Sequence, residues 1–221
     1  MNPHASDCLV IDLSPASGPG ALAPVLSRAG LLVHLVQPAR GDQIPSDLLR
    51  MEGLVVLGDA AAPRQEEHDA AMLEVRALLR RALSRHLPTL GIGLGAVLAA
   101  HALEGRVAGS AHPDAPARCE ALLLTPSGRS DALLAALAPP DGDDVPVLRR
   151  PAGSSVIALP PGARTLAHDA QGGIAAFRVE ESLWGLLFHP EADPGPLGAD
   201  PRDGAAWTAL LEAFALRALG D

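Results

Sequence analysis

The chain has 221 residues, 48% of them hydrophobic, a formal net charge of −9 and no Lys, so that all 17 basic residues are Arg. That length suits one α/β domain with a full core, and the acidic balance argues against nonspecific binding to a nucleic-acid backbone, which needs a basic face. No apolar run approaches the ~18 residues of a membrane helix, residues 1–7 are too short and polar for a leader, and Cys8 and Cys119 have neither metal-ligand nor disulfide-framework spacing; the expectation is a cytoplasmic protein without metal, cofactor, nucleic-acid or membrane partner.

Taken in chain order, residues 1–7 read as a flexible tail and residues 8–13 as a buried first strand. A loop rich in Ser, Pro and Gly follows, then a helix over residues 21–29 that stops at Gly30. Residues 31–36 and 53–57 read as the second and third strands. Residues 66–85 have the period of a long amphipathic helix, with Ala71, Leu73, Val75, Leu78, Leu79 and Leu83 on one face. Arg80, Arg81 and Arg85 fall toward its C-terminus, where solvated cations complement the helix dipole. Residues 89–92 form a strand that enters a glycine turn, and an apolar helix over residues 96–100 leaves it.

The second half changes character. Residues 121–125, 145–148, 156–159, 175–179 and 183–188 read as short strands separated by turns, which fits an antiparallel section. Ser110, Ser154 and Ser155 are expected in loops. Residues 138–144 and 193–204 read as mobile loops, and residues 205–219 as a closing helix with the stripe Trp207, Leu210, Leu211, Phe214 and Ala218.

Continuous apolar strands separated by helices imply a parallel sheet covered on both faces. Ligands of such sheets bind beyond the carboxyl ends of the strands. Gly58, Gly93 and His189 each follow the end of a predicted strand, which places all three at one rim. The run Gly91-Ile92-Gly93-Leu94-Gly95-Ala96-Val97 has the outline of a nucleophile elbow: strand, sharp turn, helix. The central residue of an elbow bears the attacking atom on backbone angles that cost a non-glycine residue ~1–3 kcal/mol. Here that residue is Gly93, which adopts such angles freely and has no side chain. The N–H groups of Leu94 and Gly95, at a helix start, suit a carboxylate, a phosphate or a carbonyl oxygen.

Three segments, in order, resemble the class I glutamine amidotransferases, close to the GMP-synthase-like type. Gly53-Leu54-Val55-Val56-Leu57-Gly58 is similar to the strand and glycine loop that hold the oxyanion hole; Leu90-Gly91-Ile92-Gly93-Leu94-Gly95-Ala96 is similar to the elbow; Trp184-Gly185-Leu186-Leu187-Phe188-His189-Pro190-Glu191 is similar to the segment with the catalytic His and Glu. The likeness runs from about residue 8 to about residue 193. It implies a flavodoxin-like three-layer α/β sandwich, its central sheet mostly parallel with an added antiparallel section, as one domain over residues 1–221. It also implies departures at chemical positions. Gly93 stands where the family has its nucleophilic Cys, Val97 where many members have a substrate-contacting Gln, and Asp59 where a second Gly is usual. Residues 150–154 replace a His-Gly-Asp-like run, while His189 and Glu191 are retained.

An amidotransferase needs a thiolate, a His to shuttle the proton, a carboxylate to orient that His, and N–H groups for the oxyanion. This chain keeps the frame, His189 and Glu191, and lacks the thiolate. The leading expectation is a pseudoenzyme: an amidotransferase-like protein that binds a ligand or partner and is not a glutaminase. Gly58, Asp59, Leu94, Gly95 and Val97 are its candidate ligand-binding residues, and a glutamine-like or other carboxylate its candidate ligand. A second reading is a repurposed enzyme using His189 and Glu191 as an acid–base pair on another small molecule. A third is an amidotransferase with a displaced nucleophile, Cys8 or Cys119. Because family members usually deliver ammonia to a synthase domain or subunit, the resemblance implies a separate synthase or biosynthetic chain as partner.

Overall fold

Two rows of apolar side chains leave opposite faces of each central strand, and this decides the architecture. The computed structural model describes residues 6–14, 18–59, 70–109, 118–138, 144–149, 154–192 and 201–220. Its strands are β1 (Ser6–Asp12), β2 (Leu31–Val36), β3 (Met51–Gly58), β4 (Thr89–Gly93), β5 (Arg106–Gly109), β6 (Arg118–Leu124), β7 (Asp144–Arg149), β8 (Ser154–Ala158), β9 (Ala163–Asp169), β10 (Ile174–Val179) and β11 (Leu183–Leu186). Its helices are α1 (Leu22–Arg28), α2 (Ala70–Ser84), α3 (Leu94–Ala102), the single turn α4 (Pro126–Arg129) and α5 (Pro201–Leu219).

Nine strands form one sheet in the order β2-β1-β3-β4-β11-β10-β9-β6-β7. The first five in that order run parallel, and β10, β9, β6 and β7 continue the sheet antiparallel. Strands β5 and β8 pair separately as an antiparallel ribbon. The parallel strands are apolar at nearly every position because both faces are covered. On one face Cys8, Val10, Val55, Leu57, Leu90 and Ile92 pack with α1 and with Leu210, Leu211 and Phe214 of α5. On the other, Leu9, Ile11, Leu54 and Val56 pack with Val75, Leu78 and Leu79 of α2 and with α3. The fold is thus the mostly parallel α/β sandwich with an antiparallel part that the sequence leads one to expect.

Element boundaries differ in several places. Ser6 and Asp7, expected in a tail, belong to β1; Asp7 Oδ1 pairs with His34 Nε2 of the neighbouring strand at 2.6 Å, a cross-strand contact that a polar strand end supplies. Helix α5 begins at Pro201, four residues before the expected start, because proline at the first helical position has no N–H that the helix needs. Strands β5 and β9 were not anticipated, since their exposed Arg106 and Arg164 break the apolar pattern. Ser154 and Ser155 lie in β8, paired with β5, and not in a loop. Asp144, expected in a loop, opens β7. Residues 1–5, 66–69, 110, 139–143, 150–153 and 193–200, on which other expectations fell, lie outside the described residues. Among the described residues no helix is long and apolar enough to cross a membrane.

Candidate functional site

Strands β3, β4 and β11 are neighbours and parallel, so their carboxyl ends share one rim. Gly58 and Gly93 are registered partners at the ends of β3 and β4, and His189 follows β11 by three residues. The sequence expectation that the three converge is met in space. Gly93 has φ +57° and ψ −115° and caps α3. These angles turn β4 into the helix within one residue, and few residues other than glycine tolerate them. Gly95 is required for a different reason: a Cβ there would lie 1.9 Å from the Val56 carbonyl oxygen, so α3 rests directly on β3.

The space over Gly93 is occupied. A Cβ at that position would meet the Gly58 carbonyl oxygen at 2.5 Å and the His189 ring at 2.7 Å (Cε1) and 2.9 Å (Nε2). His189 is only 3% exposed and Glu191 4%. The turn through Pro190 brings both side chains to one side, and His189 Nδ1 and Glu191 Oε1 are hydrogen-bonded at 2.8 Å. With a carboxylate accepting at Nδ1, the neutral imidazole carries its proton there and leaves Nε2 as the basic nitrogen. That nitrogen faces the elbow. The turn itself is fixed by Ala21, whose N–H donates to the Glu191 carbonyl at 2.9 Å. The second carboxylate oxygen, Glu191 Oε2, is buried and has no hydrogen-bond partner among the described residues.

The remaining candidates divide. Leu94 and Gly95 open α3 beside Gly93. Val97 is fully buried in the core cluster shared with α2 and β3, so its side chain serves packing. The Asp59 N–H donates to the Ser14 hydroxyl oxygen at 3.1 Å. Sequence reading missed this part of the rim. Asp12, fully buried at the end of β1, accepts from the Ser14 N–H at 2.9 Å and from the Gln37 side-chain amide at 3.0 Å. A carboxylate closing an apolar strand at a sheet's carboxyl end was the available signal. The network fixes the start of the loop after β3 from the side opposite α3.

Neither cysteine is near the elbow chemistry. Cys8 sits on β1 four residues before Asp12, roughly 13 Å along the strand from the rim at ~3.3 Å per residue. Its side chain is fully buried, and burial pushes the thiol from 9.0 up to about 12. Cys119 lies on β6, in the antiparallel extension. Cys8 is therefore expected to resist iodoacetamide at pH 8 in the folded protein; mass spectrometry showing alkylation at a free-thiol rate would contradict this. Between about pH 9 and 12 the unfolded thiol loses its proton while the folded one keeps it, so the unfolded state gains. Stability should decline through that window by up to about 1.4 kcal/mol per pH unit, and a Cys8→Ala variant should lack that component.

Arg80 reaches from α2 to the Ala102 carbonyl at the end of α3 at 2.8 Å. This is a favourable place for a cation and accounts for one member of the Arg cluster. Among the described residues no group of three or more His, Cys, Asp or Glu is placed to hold a metal ion.

The family model described as "Glutamine amidotransferase class-I" matches residues 19–207. Among solved structures, a glutamine amidotransferase from Methylobacillus flagellatus superposes with a TM-score of 0.76 at 19% identity, covering 98% of this chain and 95% of that one. A glutamine amidotransferase from Thermotoga maritima gives 0.76 at 16% identity, covering 99% and 100%. A putative GMP synthase subunit from Thermoplasma acidophilum gives 0.68 at 17% identity, covering 98% and 96%. At these identities the likeness to solved structures is one of fold. No curated protein sequence matches the chain.

Proposed function

Since the chain belongs to the class I glutamine amidotransferase family, we propose that it keeps the family's scaffold without its covalent chemistry and acts by binding a ligand or a protein partner at the carboxyl rim of the sheet. The observation that carries this reading is the elbow. Gly93 offers no nucleophile, and the place of a side chain there is taken by the Gly58 carbonyl and the His189 ring. A thioester needs both an attacking sulfur and room to approach a carbonyl carbon. Neither is available at this position. Cys8 is no substitute, being buried with its proton held up to about 12. A small carboxylate, glutamine-like or otherwise, is the proposed ligand, held by the N–H groups that open α3 at Leu94 and Gly95. A separate synthase or biosynthetic chain is the proposed partner. That one of the fold's neighbours is described as belonging to a GMP synthase supports this without identifying it.

The test is direct. Purified protein is expected to release no ammonia from glutamine above background, because loss of the nucleophile alone removes about six orders of magnitude from such a mechanism. Calorimetry with glutamine and with small carboxylates then measures binding separately from turnover. Glutamate formation at enzyme-like rates would overturn the proposal.

The acid–base reading rests on the 2.8 Å bond between His189 and Glu191. A His oriented by a carboxylate is a competent proton carrier without a nucleophile. On this reading His189→Ala abolishes a reaction of the intact chain while leaving its fold intact by circular dichroism.

A further inference from the structure

An open sheet has two edges, and each presents backbone N–H and C=O groups that no neighbouring strand of the sheet pairs. Here the edges are β2 and β7, and they are built differently. Strand β7, Asp-Val-Pro-Val-Leu-Arg, has Pro146 within it and a charged residue at each end, Asp144 and Arg149. Proline and charge keep an edge from pairing with a foreign strand. Strand β2, Leu-Leu-Val-His-Leu-Val, has no Pro, Arg, Asp or Glu. Its register with β1 runs through consecutive pairs from Leu31 to Val36 without a bulge. Among the described residues no strand lies on its outer side. Side chains of a strand alternate between its faces. Val33 packs with one layer of the core and Val36 with the other, so Leu35 falls on the first face and Leu32 on the second. Leu32 is 51% exposed and Leu35 40%. The edge is thus uncharged, free of bulges, and flanked by an exposed leucine on each face.

We propose that β2 pairs antiparallel with β2 of a second copy of this chain, joining two nine-stranded sheets into one across a two-fold axis. The row of unpaired N–H and C=O groups specifies a strand as the partner, and three arguments specify this strand. The added strand must be apolar on both faces, and β2 meets the condition that it sets. In an antiparallel self-pair each face meets the same face of the partner, so Leu35 falls among the partner's Leu31, Val33 and Leu35, and Leu32 among the partner's Leu32, His34 and Val36. The second argument is charge. Two copies that each have a net charge of −9 repel one another, so their contact must be locally neutral. The charged residues that flank β2 in the chain are Arg28, Arg40 and Asp42, and Asp7 lies against it on β1; two cations balance two anions. Asp7 is already bonded to His34, and Asp42 accepts from the Gln37 N–H at the strand's end. The third argument is closure. With β7 guarded, each copy has one edge to offer, so the pairing is isologous and stops at the dimer. Strands β1 and β3 stand between β2 and β4, which leaves the rim outside the contact. The inference therefore does not rest on the rim reading, and its failure leaves that reading intact.

A strand pair supplies far fewer than the ~20–30 residues a side of a standard interface, so the dimer is weak, with a dissociation constant on the order of tens of micromolar. Sedimentation velocity of the full chain from about 5 to about 500 µM, a range that brackets this value, is expected to show monomer passing to dimer and nothing larger. Hydrogen exchange at the two ends of that range reads the backbone itself. Alternate amides of β2, those directed outward, are expected to exchange severalfold more slowly in the concentrated sample, while the amides of β7 stay unchanged. Leu32→Lys and Leu35→Lys alter half-exposed side chains and leave the hydrogen bonds to β1 in place. Each substitution enters a two-fold interface twice, and each should weaken the dimer at least tenfold. Ile157→Lys, at a similarly exposed residue of the β5–β8 ribbon, should leave it unchanged and so separates edge pairing from general stickiness. Monomer throughout the range, assembly beyond the dimer, β2 amides indifferent to concentration, or a dimer that survives both β2 lysine variants would each overturn the assignment. The exchange measurement uses the natural chain and decides the matter even where a variant fails to fold.

Discussion

Gly93→Cys is expected to give a folded protein that is less stable than the natural chain and still hydrolyses no glutamine. The reason is geometric. At φ +57° a side chain is strained whatever space surrounds it, and residues in such backbone regions cost about 1–3 kcal/mol. The Cβ also arrives 2.5 Å from the Gly58 carbonyl oxygen, a backbone atom anchored in the sheet by its strand. The His189 ring, at 2.7 Å, can turn aside only by disturbing its bond to Glu191. Restoring the sulfur thus displaces either the β3 loop or the base that must activate it. Urea unfolding should show the destabilisation, and ammonia release from glutamine should remain at background. A variant that makes glutamate at enzyme-like rates would mean that the rim opens readily, and that only one atom separates this chain from its catalytic relatives.

Asp131→Ala is expected to be the most destabilising of the single changes considered. Asp131 is almost completely buried. One oxygen accepts from the Leu133 and Leu134 N–H groups at 2.9 and 3.2 Å and from Trp184 Nε1 at 3.0 Å, and the other pairs with Arg178 at 2.9 Å. Arg178 and Trp184 face each other across β10 and β11, so one carboxylate ties two strands to the short 3₁₀ turn Leu134–Leu137, which packs with α5. Its removal leaves a mostly buried guanidinium with only its ion pair to the exposed Glu181 at 2.9 Å, and three N–H donors unpaired. Breaking one partner of a buried pair costs about 3–5 kcal/mol, and at this chain length each kcal/mol moves the melting point by about 2–4 °C. A fall of about 10 °C or more by calorimetry is the expected result. Asp131→Asn, which keeps an acceptor for the indole, should lose less. A melting point within 2 °C of the natural chain for the alanine variant would show that the network is dispensable.

Local signals reached far into this fold. The apolar runs that become β1, β3 and β4, the glycine turn at Gly93 and the Phe188-His189-Pro190-Glu191 segment each carry their meaning within a few residues. Periodicity and turn chemistry act over that distance, so the α/β order and the shared rim were legible. Boundaries were less so. Pro201 reads as a stop in isolation and serves as a start once α5 has a sheet to lie on. Strand β5 depends on a partner distant in sequence, β8, and β9, though it pairs with the next strand β10, leaves only a weak alternating pattern. The missed polar residues follow the same logic: Asp12, Gln37 and Asp131 look like ordinary surface residues until folding buries them.

Sequence by itself determined that position 93 has no side chain to attack with, that His189 and Glu191 stand two residues apart around a proline, and that the strands must be covered on both faces. Only the tertiary structure decided that the Gly58 carbonyl and the His189 ring close over Gly93, and that among the described residues Glu191 leaves one oxygen unpaired while the other holds His189. The physical reason is range. Backbone permissiveness and side-chain periodicity are properties of a few consecutive residues, whereas close approach and polar satisfaction are set by which segments meet, and here Gly58 and His189 stand more than a hundred residues apart in sequence and meet at one sheet rim.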